Sequence, residues 1–369
     1  MNLRNLVPAL ALAAVTAAPA MAADAVPAVS FNGWVDTILA IGDNDADDSA
    51  LTAKDEESAS IRFTAQASLK ANWKVTDALS AKVNLWFDPG SEGLNMREAY
   101  FAWAINDTVT WSMGKYIDHI GWLSAEPTGL YTVNNSLIGY LETYGNDVIG
   151  TSIKVAPKDS PFSGEFHITN GYYTASDALN GGPSDNRENT DLGFGLDLIL
   201  ALGDKATLNL EFAYDMASDQ NAGALPNTAN LGGDVFLVGF NATVTPVKPL
   251  LIGAEIQYVT AGQGEDAAGA DLGEDIDRIQ GLLLANYAIE GASIPMSVTG
   301  MVQYVTIDNG GLEDEARIGA AVALLTNPLG SSNFGLNFEL GIFDESDVGG
   351  VTGADDNGFV LAMEGLVTF

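Results

Sequence analysis

The chain has no cysteine, only two histidines, and only 15 lysines and arginines against 49 acidic residues. Without cysteine there are no disulfides and no thiolate-bound zinc or iron–sulfur centres, so backbone pairing and burial must hold the fold. A formal charge of −34 argues against nucleic acid as a partner. No run of 18 or more apolar residues follows the N-terminus, so no transmembrane helix is expected. Yet 47% of the residues are hydrophobic and the mean hydropathy is +0.12. Charge and hydrophobicity must therefore be segregated in space.

Residues 60–75, SIRFTAQASLKANWKV, show how. Ile61, Phe63, Ala65, Ala67, Leu69, Ala71, Trp73 and Val75 alternate with Ser60, Arg62, Thr64, Gln66, Ser68, Lys70, Asn72 and Lys74. Period two is a β-strand with one apolar and one polar face. Sixteen such segments follow one another from 29–41 to 358–369, with weaker examples at 109–116 and 148–156. The connections after even segments are short, such as TDA and GDK; those after odd segments are mostly long, such as 42–58 and 216–233. An even strand count with short turns at one end and long loops at the other is the pattern of an outer-membrane barrel. A secreted sandwich or solenoid, the alternative, has no reason to sort its loops by parity.

The apolar faces carry no charge except near Lys115, which interrupts the alternation of its segment and reads as a bulge or rim residue. A Lys or Arg facing lipid at mid-depth costs about 2–4 kcal/mol. Trp73, Trp103, Trp111, Tyr287 and Phe369 stand at the short-turn ends of these faces, and Tyr214, Tyr258 and Tyr304 at the long-loop ends, forming two aromatic girdles. The expected fold class is all-β: a transmembrane antiparallel barrel of sixteen strands. The N-terminus, with Arg4, an apolar stretch over 6–19 and Ala20-Met21-Ala22, reads as a signal peptide. The division is 1–22 signal peptide and 23–369 barrel domain. Cleavage removes only Arg4 among charged residues, leaving 14 basic against 49 acidic residues, or −35.

Two stretches carry a family resemblance. The end, FVLAMEGLVTF, resembles the C-terminal assembly signal of bacterial outer-membrane proteins, which implies recognition by the barrel-assembly machinery. MREAYFAWAIND (96–107) followed by WSMGKYIDHIG (111–121) resembles the OmpL-like β-barrel porin family and the related phosphate-selective porins. The resemblance implies an outer-membrane porin in contact with lipid and lipopolysaccharide, and it is compatible with a homotrimer. The acidic balance departs from a phosphate-selective channel.

The third long connection, residues 116–147, is rich in apolar residues, including Ile120, Trp122, Leu123, Leu130, Tyr131, Leu137 and Ile138. Long loops without packing are uncommon. The expectation is that this loop folds into the lumen and narrows it; the alternative is a latch onto a neighbouring subunit. The expected pore-lining or constriction residues are Arg62, Arg97, Glu98, Lys115, Asp118, His119, Glu126, Glu142, Arg278 and Arg317. Opposed charges there would screen solutes in a passive channel for small hydrophilic solutes and ions. Acidic blocks at 43–57 and 265–277 favour weak cation selectivity.

No catalytic or cofactor site is expected. His119 and His167 belong to no visible surface Ser-His-acid grouping, and no phosphate-cradling glycine loop precedes a helix. Residues 43–54 begin like a calcium loop but have Asp48 where glycine is needed and Lys54 where glutamate is needed. Loose Ca²⁺ or Mg²⁺ binding by acidic loops is the alternative to a solvated charge run. An adhesion or structural barrel, and a barrel enzyme, are the alternative functions.

Overall fold

The computed structural model describes residues 28–46, 60–88, 93–124, 126–134, 137–138, 147–172, 192–216, 234–262, 275–308, 314–330, 333–347 and 356–369. The expected signal peptide lies outside these residues, as does most of each acidic block.

The strands are β1 (Ala28–Ala46), β2 (Ser60–Lys74), β3 (Leu79–Asp88), β4 (Gly93–Ala104), β5 (Val109–Ile117), β6 (Asp147–Val155), β7 (Phe162–Thr169), β8 (Gly193–Leu202), β9 (Ala206–Asp215), β10 (Val235–Val247), β11 (Leu250–Ala261), β12 (Ile276–Ala288), β13 (Met296–Asp308), β14 (Glu315–Thr326), β15 (Phe334–Ser346) and β16 (Asp356–Thr368). Each pairs antiparallel with its sequence neighbours, and β1 pairs with β16 from Trp34↔Thr368 to Ala46↔Asp356. The sheet is a closed barrel with no free edge.

The faces are inverted relative to a soluble protein. Phe63 is 76% exposed and Ile61 71%, on the outside, whereas Asp36, Glu211 and Gln280 are fully buried on the inside. An apolar band around a closed, polar-filled barrel needs hydrocarbon outside it.

Three details differ from the sequence expectation. First, β1 does not stop at Ile41: the ladder continues through Asp43↔Phe359 and Asp45↔Asn357. Strand pairing outlasts the apolar band, so part of the first acidic block lies in a strand. Second, a bulge breaks the β3–β4 register between Asn84↔Glu98 and Leu85↔Met96, leaving Arg97 as the extra residue. Leu94 and Met96 stay exposed on the outside while Glu98 stays buried within. Third, the inner face is not uniformly polar. Leu237, Val259, Leu284 and Val305 of β10–β13 point inward and are buried. Alternation puts Val259 on the face of Glu255 and Leu284 on the face of Arg278, but composition alone gives an apolar inward residue no mark.

Lys115 requires a correction. It pairs with Ala99 and Ile149, and Ile149 is exposed on the outer face. Lys115 therefore falls in the outward row near the long-loop end of β5 and does not line the pore. Its neighbour Tyr116, on the opposite face, is buried.

The ring is completed at the C-terminus. The Phe369 N–H donates to the Gly33 carbonyl at 3.1 Å, and the Gly33 N–H to the Phe369 carbonyl at 3.0 Å. A Cβ at Gly33 would stand 2.7 Å from the Phe369 ring and would strike the Ser68 carbonyl. Glycine here lets the terminal aromatic cover the seam.

Leu340 lies at the middle of β15, 49% exposed on the outer face. Leu340→Arg should reduce the unfolding free energy in lipid vesicles by about 2–4 kcal/mol in a urea titration. A barrel surrounded by water would change by less than about 0.5 kcal/mol.

Candidate functional site

The described parts of the third long loop, L3 (118–124, 126–134 and 137–138), lie inside the barrel, held by side chains of the inner wall. Inward-pointing carboxylates take up its backbone donors. Glu211 of β9 accepts from the Gly121 N–H at 3.0 Å, and Glu255 of β11 from the Trp122 N–H at 2.5 Å. Glu339 of β15 accepts from the Val133 and Asn134 N–H groups at 2.7 and 3.1 Å, and from Asn134 Nδ2 at 2.7 Å. Gln303 of β13 accepts from the Leu137 N–H at 3.1 Å, and Arg317 Nη1 of β14 donates to the Ile138 carbonyl at 3.3 Å. An irregular segment buried in a lumen exposes many backbone groups, and each needs a partner. Asp215 does the same for the loop after β7, taking the Tyr172 N–H at 2.7 Å from each oxygen.

Apolar contacts complete the seat. Ile120, Leu123 and Ile138 join a buried cluster with Leu237, Leu284 and Met301 of the wall. The Trp122 ring lies against Gly253, where a Cβ would overlap it, and its Nε1 donates to Thr243 at 2.7 Å. Trp122 also stacks on Tyr131, with 5.9 Å between centroids and 6° between planes. Leu137 occupies the space left by Gly319 and Gly341, whose hypothetical Cβ atoms come within 3.1 and 2.7 Å of it. Inward glycines thus form sockets for the loop's large side chains.

L3 also reaches the opposite wall. Glu126 forms an ion pair with Lys70 of β2 and accepts from Asn84 Nδ2 of β3 at 3.1 Å. Those strands stand eight places round the sixteen-strand ring from the β10 and β11 partners of Trp122. The short chain from Trp122 to Glu126 therefore crosses the lumen. A 3-10 turn, Pro127–Gly129, then brings it to β16. The loop packs within its own barrel, so the subunit-latch alternative is not followed by the described residues.

The expected site residues divide accordingly. Glu98 and Glu126 join one network: Lys82 Nζ lies 2.6 Å from Glu98, Asn84 Nδ2 donates to Glu98 at 3.0 Å, and Ser68 donates to Asn84 at 2.6 Å. Arg97 stacks its guanidinium 4.0 Å above the Trp86 ring. Arg62 stands in the inward row of β2 near the long-loop end, exposed. Arg278 is buried, with Nε donating to Gln280 at 3.0 Å. Arg317 pairs with Glu315 and lies 4.0 Å from Glu345, which fixes it as a support of L3. Asp118 accepts from the Ile120 N–H at 3.0 Å and lies 3.1 Å from His119 Nδ1. The His119 ring stacks on His167, 4.1 Å between centroids, and Tyr116 Oη lies 3.2 Å from His167 Nδ1. Glu142 lies outside the described residues.

Glu211, Glu255 and Glu339 stand opposite the apolar faces of their segments, and nothing in the sequence marks their role as acceptors for the loop. Among the described residues no group of three or more His, Asp or Glu side chains is arranged to hold a metal ion.

No protein-family model matches the chain, so the OmpL-like resemblance has no support from that side. No curated protein matches it either. Solved structures do. The outer membrane channel DcaP of Acinetobacter baumannii aligns with a TM-score of 0.63 at 12% identity, covering 93% of this chain and 97% of that one. The anion-selective porin of Comamonas acidovorans aligns at 0.60 and 14%, covering 93% and 100%. The trimer form of OmpT, an outer membrane protein of Vibrio cholerae, aligns at 0.56 and 15%, covering 94% and 100%. At such identities the likeness is one of fold: the closed sixteen-strand barrel is shared.

Glu255→Ala removes the acceptor of the Trp122 N–H, a loss of about 1–3 kcal/mol for a buried donor. Hydrogen exchange at Gly121 and Trp122 should accelerate by about 5- to 150-fold, while amides of β12 and β13 keep their protection. Unchanged exchange at Trp122 would mean that the carboxylate does not hold the loop.

Proposed function

We propose that this chain is a bacterial outer-membrane porin: a passive diffusion channel for small hydrophilic solutes and ions, weakly cation-selective, with L3 setting its narrowest cross-section. The observation that carries the reading is a loop pinned inside an inside-out barrel by wall carboxylates. Seating a loop within the barrel narrows the lumen, which is where a channel screens its solutes. The fold likeness to DcaP and to the Comamonas porin supports the channel class, and the trimer form of OmpT makes a homotrimer a reasonable assembly. Export through removal of residues 1–22 and insertion by the barrel-assembly machinery belong to the same proposal. Nothing in it requires catalysis.

The cation preference rests on charge pairing. Lys70, Lys82 and Arg317 each face a carboxylate of L3 or the wall, at Glu126, Glu98 and Glu315. Lys154 lies 3.7 Å from Glu165. These pairs neutralise much of the scarce positive charge within, and the inner wall also carries the carboxyls of Asp36, Asp197 and Glu364. Acidic blocks at the mouth would concentrate cations over a Debye length of about 8 Å at physiological salt. The Comamonas porin is anion-selective, so shared architecture does not fix the sign.

A structural or adhesive barrel is the second reading, and the crossing of the lumen by L3 favours it. Planar-bilayer recording separates the two. The porin reading expects stepwise conductance in KCl and a reversal potential of cation sign, steeper at low salt. Replacing 119–141 by a short Gly-Ser linker should raise single-channel conductance and admit larger sugars. Absence of conductance in both proteins would favour the structural barrel; anion preference at low salt would overturn the selectivity assignment.

A further inference from the structure

Beneath L3, toward the short-turn end, lies a cavity of about 220 Å³ between the 3-10 turn and the inner face of β14–β16. At roughly 30 Å³ per water it holds about seven waters, or one molecule of a few heavy atoms. The loop supplies Thr128 and Thr132, and the wall supplies Asn337, Glu364, Leu325 and Leu366. No lysine or arginine lines it.

Two of these groups point to a ligand. Thr132 is 1% exposed, and its hydroxyl has no hydrogen-bond partner although it borders the cavity. Glu364 is 2% exposed. One of its oxygens accepts from Asn337 Nδ2 at 2.5 Å, and the carboxyl lies beside Asp36 of β1, which is fully buried and has one oxygen without a partner. A buried hydroxyl left open costs stability unless something fills the space. Two adjacent buried carboxyls share a proton and keep one negative charge between them, and no lysine or arginine lines the cavity to offset it. Leucines on the cavity wall suit a short hydrocarbon stem.

We infer that this cavity is a binding subsite for a small organic ammonium ion, the ammonium at Glu364 and a polar or methylene remainder against Thr132 and Leu325. The inference rests on the channel reading, and it adds a resident step to passage: the solute pauses under the loop. An ammonium donates in three directions and can satisfy a carboxylate and a hydroxyl together. A neutral polyol of the same size lacks the charge that the acid pair selects.

The test uses ethanolammonium chloride, with ethylene glycol as the neutral counterpart of similar size. In planar bilayers ethanolammonium should reduce the KCl current in a saturable manner, and ethylene glycol should not. Isothermal titration of ethanolammonium into the folded barrel should give one site per chain. Loss of a charge-assisted contact predicts that Glu364→Gln raises the half-blocking concentration at least about tenfold. Thr132→Val should raise it about three- to tenfold, and serves if the first variant does not assemble. Equal effects of ethylene glycol, or wild-type binding in both variants, would overturn the subsite. An absent KCl conductance with calorimetric binding retained would instead defeat the channel reading and leave the subsite standing. Conductance without ethanolammonium block or binding would defeat the subsite alone.

Discussion

Everything in this molecule follows from the need to pair every backbone N–H and C=O where water is absent. Hydrocarbon outside the barrel offers no hydrogen bonds, so the sheet must close, and it closes from β1 to β16 with Phe369 and Gly33 exchanging both backbone bonds at the seam. Closure then dictates the side chains. Period two sends Phe63, Leu340 and Val322 out to lipid and sends Asp36, Glu211 and Arg278 in. The absence of cysteine is consistent with this economy: a ring with no edges needs no cross-link to limit fraying.

The same rule operates a second time inside the lumen. L3 is irregular apart from the turn at Pro127–Gly129, so many of its amides need partners outside the loop, and the wall supplies acceptors at the required places. Glu211, Glu255, Glu339 and Gln303 each take a loop N–H, and Arg317 takes a loop carbonyl. This also accounts for buried acid in a chain with so few bases: hydrogen bonds from the loop stabilise these carboxylates inside the barrel. Gly253, Gly319 and Gly341 provide the space, so that Trp122 and Leu137 meet the sheet backbone closely. Wall and loop are therefore one packed unit, and its contact with Lys70 and Asn84 carries it across to the far side.

The strand order and the two faces were legible wherever one face is plainly polar. In β2 every inward residue is polar, and the observed span, Ser60–Lys74, stops one residue short of the segment read from alternation. In β12 the inward Leu282 and Leu284 alternate with outward Leu283, so only the parity set by Arg278, and not hydropathy, tells the faces apart. Arg97 and Lys115 show the limit of parity counting. A bulge adds a residue to β4 without any mark in composition, and Lys115 keeps its outward place although its charge suggests the lumen. The need of L3 to pack was legible from its leucines and aromatics. Its anchors were not, because a carboxylate that binds loop amides and one that lines a channel look the same in sequence.

The central claim is that L3 packs against the inner wall of its own barrel. The natural chain has no cysteine, so an engineered pair gives an unambiguous answer. A Cβ at position 319 would stand 3.1 Å from the Leu137 Cβ, slightly closer than the about 3.5–4.5 Å typical of disulfides. Gly319→Cys combined with Leu137→Cys, oxidised in outer-membrane vesicles, should therefore form an intramolecular disulfide in most chains. Free thiols after oxidation, or cross-links only between chains, would contradict the account.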